Sequence, residues 1–178
     1  CLWSRTANRV LLPLGDGAAS DAEELYATLL AMPWFEQFAP GASIAVSFSG
    51  TNEALRNTRF GAQRSKDAIV DASRAAGIEP PRIDPERPDL SVSVRLRGAR
   101  IDVALDMVGE SLHRRGYRRG SGVAPIKENL AAALLLGAGW KEPAARSAAL
   151  IDPMCGAATI LIEGALIALD RAPALGRE

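Results

Sequence analysis

The residues best suited to chemistry in this sequence lie at a turn between two apolar runs near its end. Residues 147–151 predict a short buried strand of a parallel sheet, which an Asp-Pro pair ends. Residues 159–169 are almost wholly apolar good helix formers, so they predict a helix. Cys155 and Gly156 therefore mark the point where a strand, a turn and a helix meet. Such a turn directs backbone N–H groups at a ligand, and glycine lets a nucleotide-like cofactor approach the main chain.

An ordinary turn between a strand and a helix has the same spacing, because short turn motifs have many false positives. The residue types are more specific. The sequence Asp-Pro-Met-Cys-Gly-Ala-Ala-Thr followed by Ile-Leu-Ile-Glu, residues 152–163, resembles the S-adenosylmethionine loop of the bacterial 23S rRNA guanine-N2-methyltransferases that carry a THUMP domain. That family usually has Ser and Gly where this sequence has Ala157 and Ala158. A Cβ at Ala158 would crowd a backbone with positive φ, which leaves open a weaker cofactor site or a slightly different turn.

Two motifs upstream of the loop carry the same resemblance. His-Arg-Arg-Gly-Tyr-Arg, residues 113–118, and residues 122–133 with their Ala-Pro-Ile-Lys-Glu segment are similar to the linker signature of that family. Four segments of the first half are similar to its THUMP part in order and spacing, namely residues 2–5, 48–50, 56–57 and 66–71. The resemblance therefore covers nearly the whole chain and is far more specific than one glycine turn.

The resemblance also assigns residues to the cofactor. Pro125 fits the first turn of an alanine-rich helix that is expected to end near Leu136. In the resembled family this helix precedes the first strand of the catalytic domain and lies beside the cofactor loop. A surface pair of Lys127 with Glu128 explains those two residues equally well. The cofactor contacts that the resemblance implies are Asp152, Pro153, Cys155, Gly156, Ala157, Thr159, Ile126 and Lys127.

The predicted fold class is α/β. The elements expected in the first half are a helix at 20–32, a half-buried strand at 43–49, a helix at 60–76, a proline-rich loop at 78–88 and a hairpin of strands 90–97 and 100–107 around Gly98 and Ala99. In the hairpin, Val92, Val94 and Leu96 are expected on one face and Ile101, Val103 and Leu105 on another. Helices on an antiparallel or mixed sheet are the simplest architecture for this order.

The resemblance implies that this part is a THUMP-like sheet with helices, followed by the first helix-strand-helix of a Rossmann-like methyltransferase domain. The predicted domains are a THUMP-like RNA-binding domain at 1–110, a basic linker at 111–124 and the truncated start of an S-adenosylmethionine-dependent methyltransferase domain at 125–178.

Positive charge is densest between Ser111 and Gly122, where arginines are interleaved with His113 and Tyr117. Such a cluster can contact phosphates while an aromatic ring stacks on an unpaired base. Arginines at a domain junction also form ion pairs and pack their stems on apolar surface, so a structural role stays open. In the helix at 60–76, Arg64, Asp67, Asp71 and Arg74 are spaced to pair along a solvated face. Lys66 lies off that stripe and forms a second basic group with Arg56 and Arg59, just before the helix. The RNA candidates are Arg56, Arg59, Lys66, Arg114, Arg115, Tyr117 and Arg118.

Composition limits the possible partners. The 21 basic and 21 acidic residues balance, so an RNA site must be a local patch rather than a general field. No apolar run approaches the ~20 residues that span a bilayer, and we expect a cytoplasmic protein without membrane contact. Cys1 and Cys155 predict neither a disulfide framework nor a metal site, because only His113 could join them as a ligand. The sequence has no initiator methionine and reads as a fragment cut at both ends.

The resemblance implies an S-adenosylmethionine-dependent enzyme that methylates the exocyclic N2 of a guanine in 23S rRNA, with the THUMP part binding the RNA. The Asn-Pro-Pro-Tyr catalytic motif of that family is absent from these 178 residues, so the resemblance implies no catalytic residue and no activity for them alone. Two alternatives stay open. One is an RNA-binding module without activity of its own, and the other is a fragment of a DNA amino-methyltransferase, whose cofactor loop is similar.

Overall fold

The computed structural model describes residues 1–39, 41–118, 125–141 and 147–177. Contacts within the chain divide it into two compact units. One is Leu11–Gly109, called the sheet unit, and the other joins Cys1–Val10 to Glu110–Glu178 and is called the helical unit.

The sheet unit contains a five-stranded mixed sheet of order β1-β5-β4-β2-β3. Strand β5 pairs antiparallel with β1 and β4, whereas β2 runs parallel to β3 and β4. Two α-helices and one 3₁₀ turn, Trp34–Glu36, connect the strands. The elements in chain order are β1 Leu11–Ala18, α1 Ala22–Leu30, β2 Ser43–Ser49, α2 Thr58–Ala75, β3 Arg82–Ile83, β4 Leu90–Arg97 and β5 Arg100–Asp106.

The core of this unit lies between one face of the sheet and the two helices. Val94 of β4 is opposite Val103 of β5 in the ladder, and both side chains are buried. Because residues opposite each other in a ladder point to the same side, both apolar triplets of the hairpin face the core. The expectation that they occupy two different faces is therefore wrong. Leu25 and Leu29 of α1 and Ile69 of α2 complete this core.

Side-chain caps explain where α1 and α2 begin. The Asp21 carboxylate accepts hydrogen bonds from the N–H groups of Glu23 and Glu24 at 3.0 and 2.9 Å. The Asn57 side chain accepts from the N–H of Arg59 at 2.9 Å in the same way. These contacts satisfy N–H groups that have no partner within the helix. The predicted helices, strand 43–49 and hairpin are confirmed.

Strands β1 and β3 were not predicted from the sequence. The sequence of β1, Leu-Leu-Pro-Leu-Gly-Asp-Gly-Ala, contains one proline and two glycines and shows no alternation. Such a sequence is tolerated at a sheet edge, and β1 is an edge strand in which the register shifts between Pro13 and Gly15. Strand β3 is only two residues long, within the segment predicted as a proline-rich loop.

The described part of the helical unit contains two α-helices that pack together, α3 Glu128–Gly137 and α4 Thr159–Ala168. Lys127 has an extended backbone with φ −67° and ψ 140°, so α3 begins after it and Pro125 precedes the helix. The prediction that Pro125 occupies the first turn is wrong. Helix α4 begins and ends close to its predicted bounds.

The strand predicted at 147–151 is also wrong. None of these residues is in a strand, and the Ile151 side chain is 81% exposed. A strand exists only as part of a hydrogen-bonded ladder, and the described residues of the helical unit contain no other strand to pair with it. An apolar run therefore predicted a buried strand where the structure has a mostly exposed segment outside any strand.

The first ten residues belong to the helical unit. Leu112 donates its N–H to the Asn8 carbonyl at 2.9 Å, and Ala174 donates to the Leu2 carbonyl at 3.3 Å. The sequence assigns residues 1–10 to the THUMP-like domain, whereas their contacts are with the chain after residue 109. Because residues 119–124 lie outside the described residues, the linker at 111–124 and its boundaries stay predictions.

Gly116 provides a direct test of packing in the helical unit. Its φ is +86°, and a Cβ there would overlap the Gly176 carbonyl oxygen. Gly116→Ala is therefore expected to lower the free energy of unfolding by at least about 2 kcal/mol, from left-handed strain plus steric overlap. Gly98→Ala is the control, because Gly98 also has positive φ, +62°, but has open space around it. Thermal unfolding of both variants should show the larger loss for Gly116→Ala, and equal losses would contradict the overlap.

Candidate cofactor site and nucleic-acid interface

The predicted cofactor loop forms a tight turn that opens helix α4. Asp152 accepts a hydrogen bond from the Met154 N–H at 3.0 Å, and the Ala158 N–H donates to the Cys155 carbonyl at 2.6 Å. Pro153, Cys155, Gly156 and Ala157 are exposed, and Asp152 is half-buried. Gly156 has φ +49°, and α4 begins without a side-chain cap. The turn is thus largely exposed, and it leads into the first turn of α4, whose N–H groups have no acceptor within the helix.

Ala158 has a left-handed backbone, the conformation in which its Cβ was expected from the sequence to be crowded. Its φ is +55° and its ψ +24°, at the position immediately before α4. Residues other than glycine avoid this region because their Cβ approaches the following carbonyl oxygen. The chain therefore keeps the turn of a glycine while carrying a methyl group there.

Ala158→Gly is expected to raise the free energy of unfolding by about 0.5 kcal/mol. Relief of left-handed strain, ~1–2 kcal/mol, exceeds the entropy that glycine adds to the unfolded chain, ~0.4–1 kcal/mol. Ala157→Gly is the matched control, because φ of Ala157 is not positive and only the entropic loss applies. Denaturant unfolding of the two variants should give changes of opposite sign. A loss for Ala158→Gly would show that the turn is not strained.

Arg118 joins the loop to the segment before α3. Its Nη2 donates to the Thr159 hydroxyl at 3.0 Å and to the Ile126 carbonyl at 3.0 Å. The same nitrogen lies 3.4 Å from a Glu128 carboxylate oxygen. Glu128 is only 3% exposed, so the alternative of a surface pair between Lys127 and Glu128 is wrong. Lys127 is exposed and Ile126 half-buried beside this contact.

A buried ion pair lies one turn further along α4, on the same face as Thr159. The side chains of Arg115 and Glu163 are fully buried, with Nε and Oε1 3.6 Å apart. Arg115 also donates to the Leu112 carbonyl at 2.7 Å and to the Ser4 carbonyl at 3.3 Å. The Tyr117 hydroxyl donates to Glu163 Oε1 at 3.1 Å. These contacts fasten residues 1–10 and 110–118 to α4.

Burial dominates the acid-base properties of this group. It raises the pKa of the Glu163 carboxyl, against the opposing effects of Arg115 and of the Tyr117 hydrogen bond. It also raises the pKa of the Tyr117 hydroxyl, with a further contribution from the Glu163 charge. Both shifts follow from the penalty that a low-dielectric interior places on charge.

The structure separates the four RNA candidates of residues 113–118. Arg114 is exposed and pairs with Glu110, four residues earlier. Arg115 is fully buried and cannot reach a phosphate, so its assignment to RNA is corrected to a structural role. Tyr117 is half-buried, with its hydroxyl on Glu163, and Arg118 is directed at Thr159. Arg119 lies outside the described residues.

The three candidates of the sheet unit lie just before α2 and within its first three turns. Arg56 and Arg59 are exposed and Lys66 is half-buried. Arg56 donates from Nε to the Glu53 carbonyl at 2.9 Å, which leaves its two terminal nitrogens for other partners. Phe60, next to Arg59, is 50% exposed. An exposed ring beside arginines is an arrangement that suits single-stranded RNA.

Three residues of the helical unit were missed by the sequence analysis as parts of the site. They are Arg5, Glu128 and Glu163. Arg5 donates to the Leu166 carbonyl in the last turn of α4 at 3.2 Å, and to the Arg171 carbonyl just after the end of α4 at 2.9 Å. The only available signal for Glu163 was a carboxylate within an otherwise apolar helix, which requires a buried partner.

Two further classes of site have no support in the residues that the structure describes. No group of three or more His, Cys, Asp or Glu residues among them could hold a metal ion. None of the helices in those ranges combines the length and apolar character that a membrane crossing requires. Both cysteines are free and exposed.

Two family models match the chain in separate ranges. The THUMP domain matches residues 19–106, and the RMKL-like methyltransferase domain matches residues 115–178. The chain therefore combines, in this order, a segment that matches a THUMP domain and a segment that matches an RMKL-like methyltransferase domain. More particularly, it is 51% identical over 178 residues to the ribosomal RNA large subunit methyltransferase K/L of Saccharophagus degradans, across 100% of this chain and 24% of that protein. The chain spans about a quarter of the length of the curated relatives that it matches.

Solved structures of similar fold include methyltransferases. SMU.472, a putative methyltransferase complexed with SAH, has a TM-score of 0.85 and 30% identity, covering 99% of this chain and 46% of that one. A predicted N6-adenine-specific DNA methylase from Listeria monocytogenes has a TM-score of 0.76 and 30% identity, with the same coverage. Both similarities extend over the sheet and the helical units.

Proposed function

We propose that the protein is an S-adenosylmethionine-dependent rRNA methyltransferase, in which the helical unit begins the cofactor domain and the sheet unit binds RNA. The observation that carries this proposal is the outward-facing turn at 152–158, which opens α4 within the range matched by the RMKL-like methyltransferase domain. The identity of 51% to a ribosomal RNA methyltransferase K/L over the whole chain supports the same activity.

The residues present fit S-adenosylmethionine. Gly156 and the uncapped start of α4 leave backbone N–H groups open to the ligand, and Cys155 and Ala157 are exposed on the same turn. When bound, the cofactor supplies a methyl group already activated on a sulfonium. The contacts proposed for it are those of the sequence analysis, from Asp152 to Thr159 and from Ile126 and Lys127.

The proposed acceptor is the exocyclic N2 of a guanine in 23S rRNA. Reaching a base amine requires a single-stranded or extruded nucleotide, so a separate unit that holds the RNA is mechanistically useful. In the sheet unit the proposed phosphate contacts are Arg56, Arg59 and Lys66, and in the helical unit Arg114. These four have exposed or half-buried side chains.

Cofactor binding and product analysis test the proposal on the complete natural protein that contains these residues. Calorimetry with S-adenosylhomocysteine should show micromolar binding, and nucleosides from treated 23S rRNA should contain N2-methylguanine. RNA affinity without cofactor binding would instead indicate an RNA-binding module. Methylated adenine or cytosine in treated DNA, with none in the rRNA, would indicate a DNA amino-methyltransferase.

A further inference from the structure

We infer that Arg118 is a positioning residue for the cofactor, acting through Thr159 and Ile126 rather than through contact with RNA. The inference rests on the proposed function, because it concerns the proposed S-adenosylmethionine site. It assigns to Arg118 a role different from the phosphate contact expected from its charge.

One guanidinium nitrogen of Arg118 forms hydrogen bonds with two separate segments of that site. Nη2 of Arg118 donates to the Thr159 hydroxyl and to the Ile126 carbonyl, both at 3.0 Å. Thr159 is the first residue of α4 and is 3% exposed, directly after the left-handed Ala158. Ile126 precedes the beginning of α3 by two residues. Arg118 therefore fixes the distance between the cofactor loop and the start of α3.

The charge of Arg118 has a partner inside the protein. A Glu128 carboxylate oxygen lies 3.4 Å from Nη2, and the Glu128 side chain is 4% exposed against 23% for Arg118. A buried carboxylate is stable as an anion only with a cationic partner or hydrogen-bond donors. Among the described residues, nothing donates a hydrogen bond to the second oxygen, Oε2. Arg118 is thus held by a buried anion and directed at the loop instead of at solvent.

A guanidinium suits this role better than an ammonium would. Its planar array of donors can bind the hydroxyl and the carbonyl together, whereas lysine presents one compact charge on a flexible stem. The positioning role therefore predicts that Arg118→Lys recovers only part of the function lost in Arg118→Ala.

The test uses the complete natural protein that contains these residues, with S-adenosylhomocysteine as the probe. Arg118→Ala should weaken its binding in calorimetry roughly tenfold, the scale of one lost charge-assisted hydrogen bond, with Arg118→Lys in between. The salt dependence of RNA affinity should not change. Arg74→Ala is the control for loss of one positive charge, because Arg74 is exposed on α2 and pairs with Asp71 at 3.0 Å.

Thr159→Val is a second variant, for the case in which Arg118→Ala does not fold. It removes only the hydroxyl acceptor, and combining it with Arg118→Ala or Arg118→Lys should weaken binding by less than the product of the single effects. Hydrogen exchange of the amides at the start of α4 should also accelerate in each variant. If the double variant weakens binding by the full product of the two single effects, Arg118 does not act through Thr159.

The outcomes separate this inference from the proposed function. Wild-type protein that fails to bind S-adenosylhomocysteine overturns both. Wild-type binding with unchanged affinity in folded Arg118→Ala overturns only the positioning role. If Arg118→Ala instead reduces the slope of log RNA affinity against log salt by the amount expected for one phosphate contact, Arg118 binds a phosphate.

Discussion

Arg115→Ala is expected to lower the free energy of unfolding of the helical unit by about 3–5 kcal/mol, whereas Arg114→Ala next to it should change it little. The Arg115 side chain is fully buried and lies 3.6 Å from the fully buried Glu163 carboxylate. Its removal leaves that carboxylate without its cation and frees the carbonyls of Ser4 and Leu112. Arg114, in contrast, has a 66% exposed side chain paired to an exposed Glu110. Denaturant unfolding of both alanine variants measures this difference, and Arg114→Ala is the control because it removes the same charge from the neighbouring residue.

A paired replacement distinguishes the ion pair from the volume of the side chains. Arg115→Met combined with Glu163→Leu removes both charges and keeps apolar bulk, so it should be less destabilising than Arg115→Met alone. Equal stability of Arg114→Ala and Arg115→Ala would contradict the buried pair. So would a double replacement whose cost is the sum of the single ones.

Local sequence patterns predicted the sheet unit well, because its core follows from alternation within strands. The apolar residues of β4 and β5 recur every second position, and both strands formed as predicted. The pattern could not show that the two triplets share one face, because that depends on the register of the pair. Nor could it find β1, whose place at an edge comes from pairing with β5, more than eighty residues away in the chain.

The helical unit was less predictable because its contacts are distant in the sequence. Arg115 and Arg114 are indistinguishable by charge and position, and only contacts with Ser4 and Glu163 make one of them internal. Residues 147–151 have the composition of a buried strand, but a strand also needs a neighbour, which composition does not supply. The sequence nevertheless identified Ala158 as the position where a positive φ would crowd a Cβ, because a glycine-type turn depends mainly on local backbone geometry.

The structure also changes where RNA contacts should be sought. Among the three linker arginines that the structure describes, Arg115 and Arg118 are directed into the protein, so the proposed phosphate contacts concentrate near the start of α2. This arrangement explains how a chain with balanced charge can present a basic patch, since many of its other arginines are held by carboxylates. It follows that counts of basic residues overstate the surface available to RNA.

Replacing Arg56, Arg59 and Lys66 together by alanine is expected to weaken RNA binding strongly and to flatten its salt dependence. Each phosphate contact contributes about 0.7 to the slope of log affinity against log salt for single strands, so the slope should fall in magnitude by about 2. The effect on affinity should be largest at low salt and similar for different RNA sequences, because phosphates carry no base identity. Titration of the complete natural protein with an rRNA fragment at several salt concentrations measures both quantities.

The matched control for this triple variant removes the same charge from the same unit. Arg74, Arg97 and Arg100 pair with Asp71, Asp102 and Asp16, respectively. Their exposed pairs should contribute little to stability and, being already neutralised, little to the salt slope. A flattened slope in the control as well would mean that net charge, not the basic group at α2, governs RNA binding. An unchanged slope in the Arg56, Arg59 and Lys66 variant would remove these residues from the interface, since counterion release depends on direct phosphate contact.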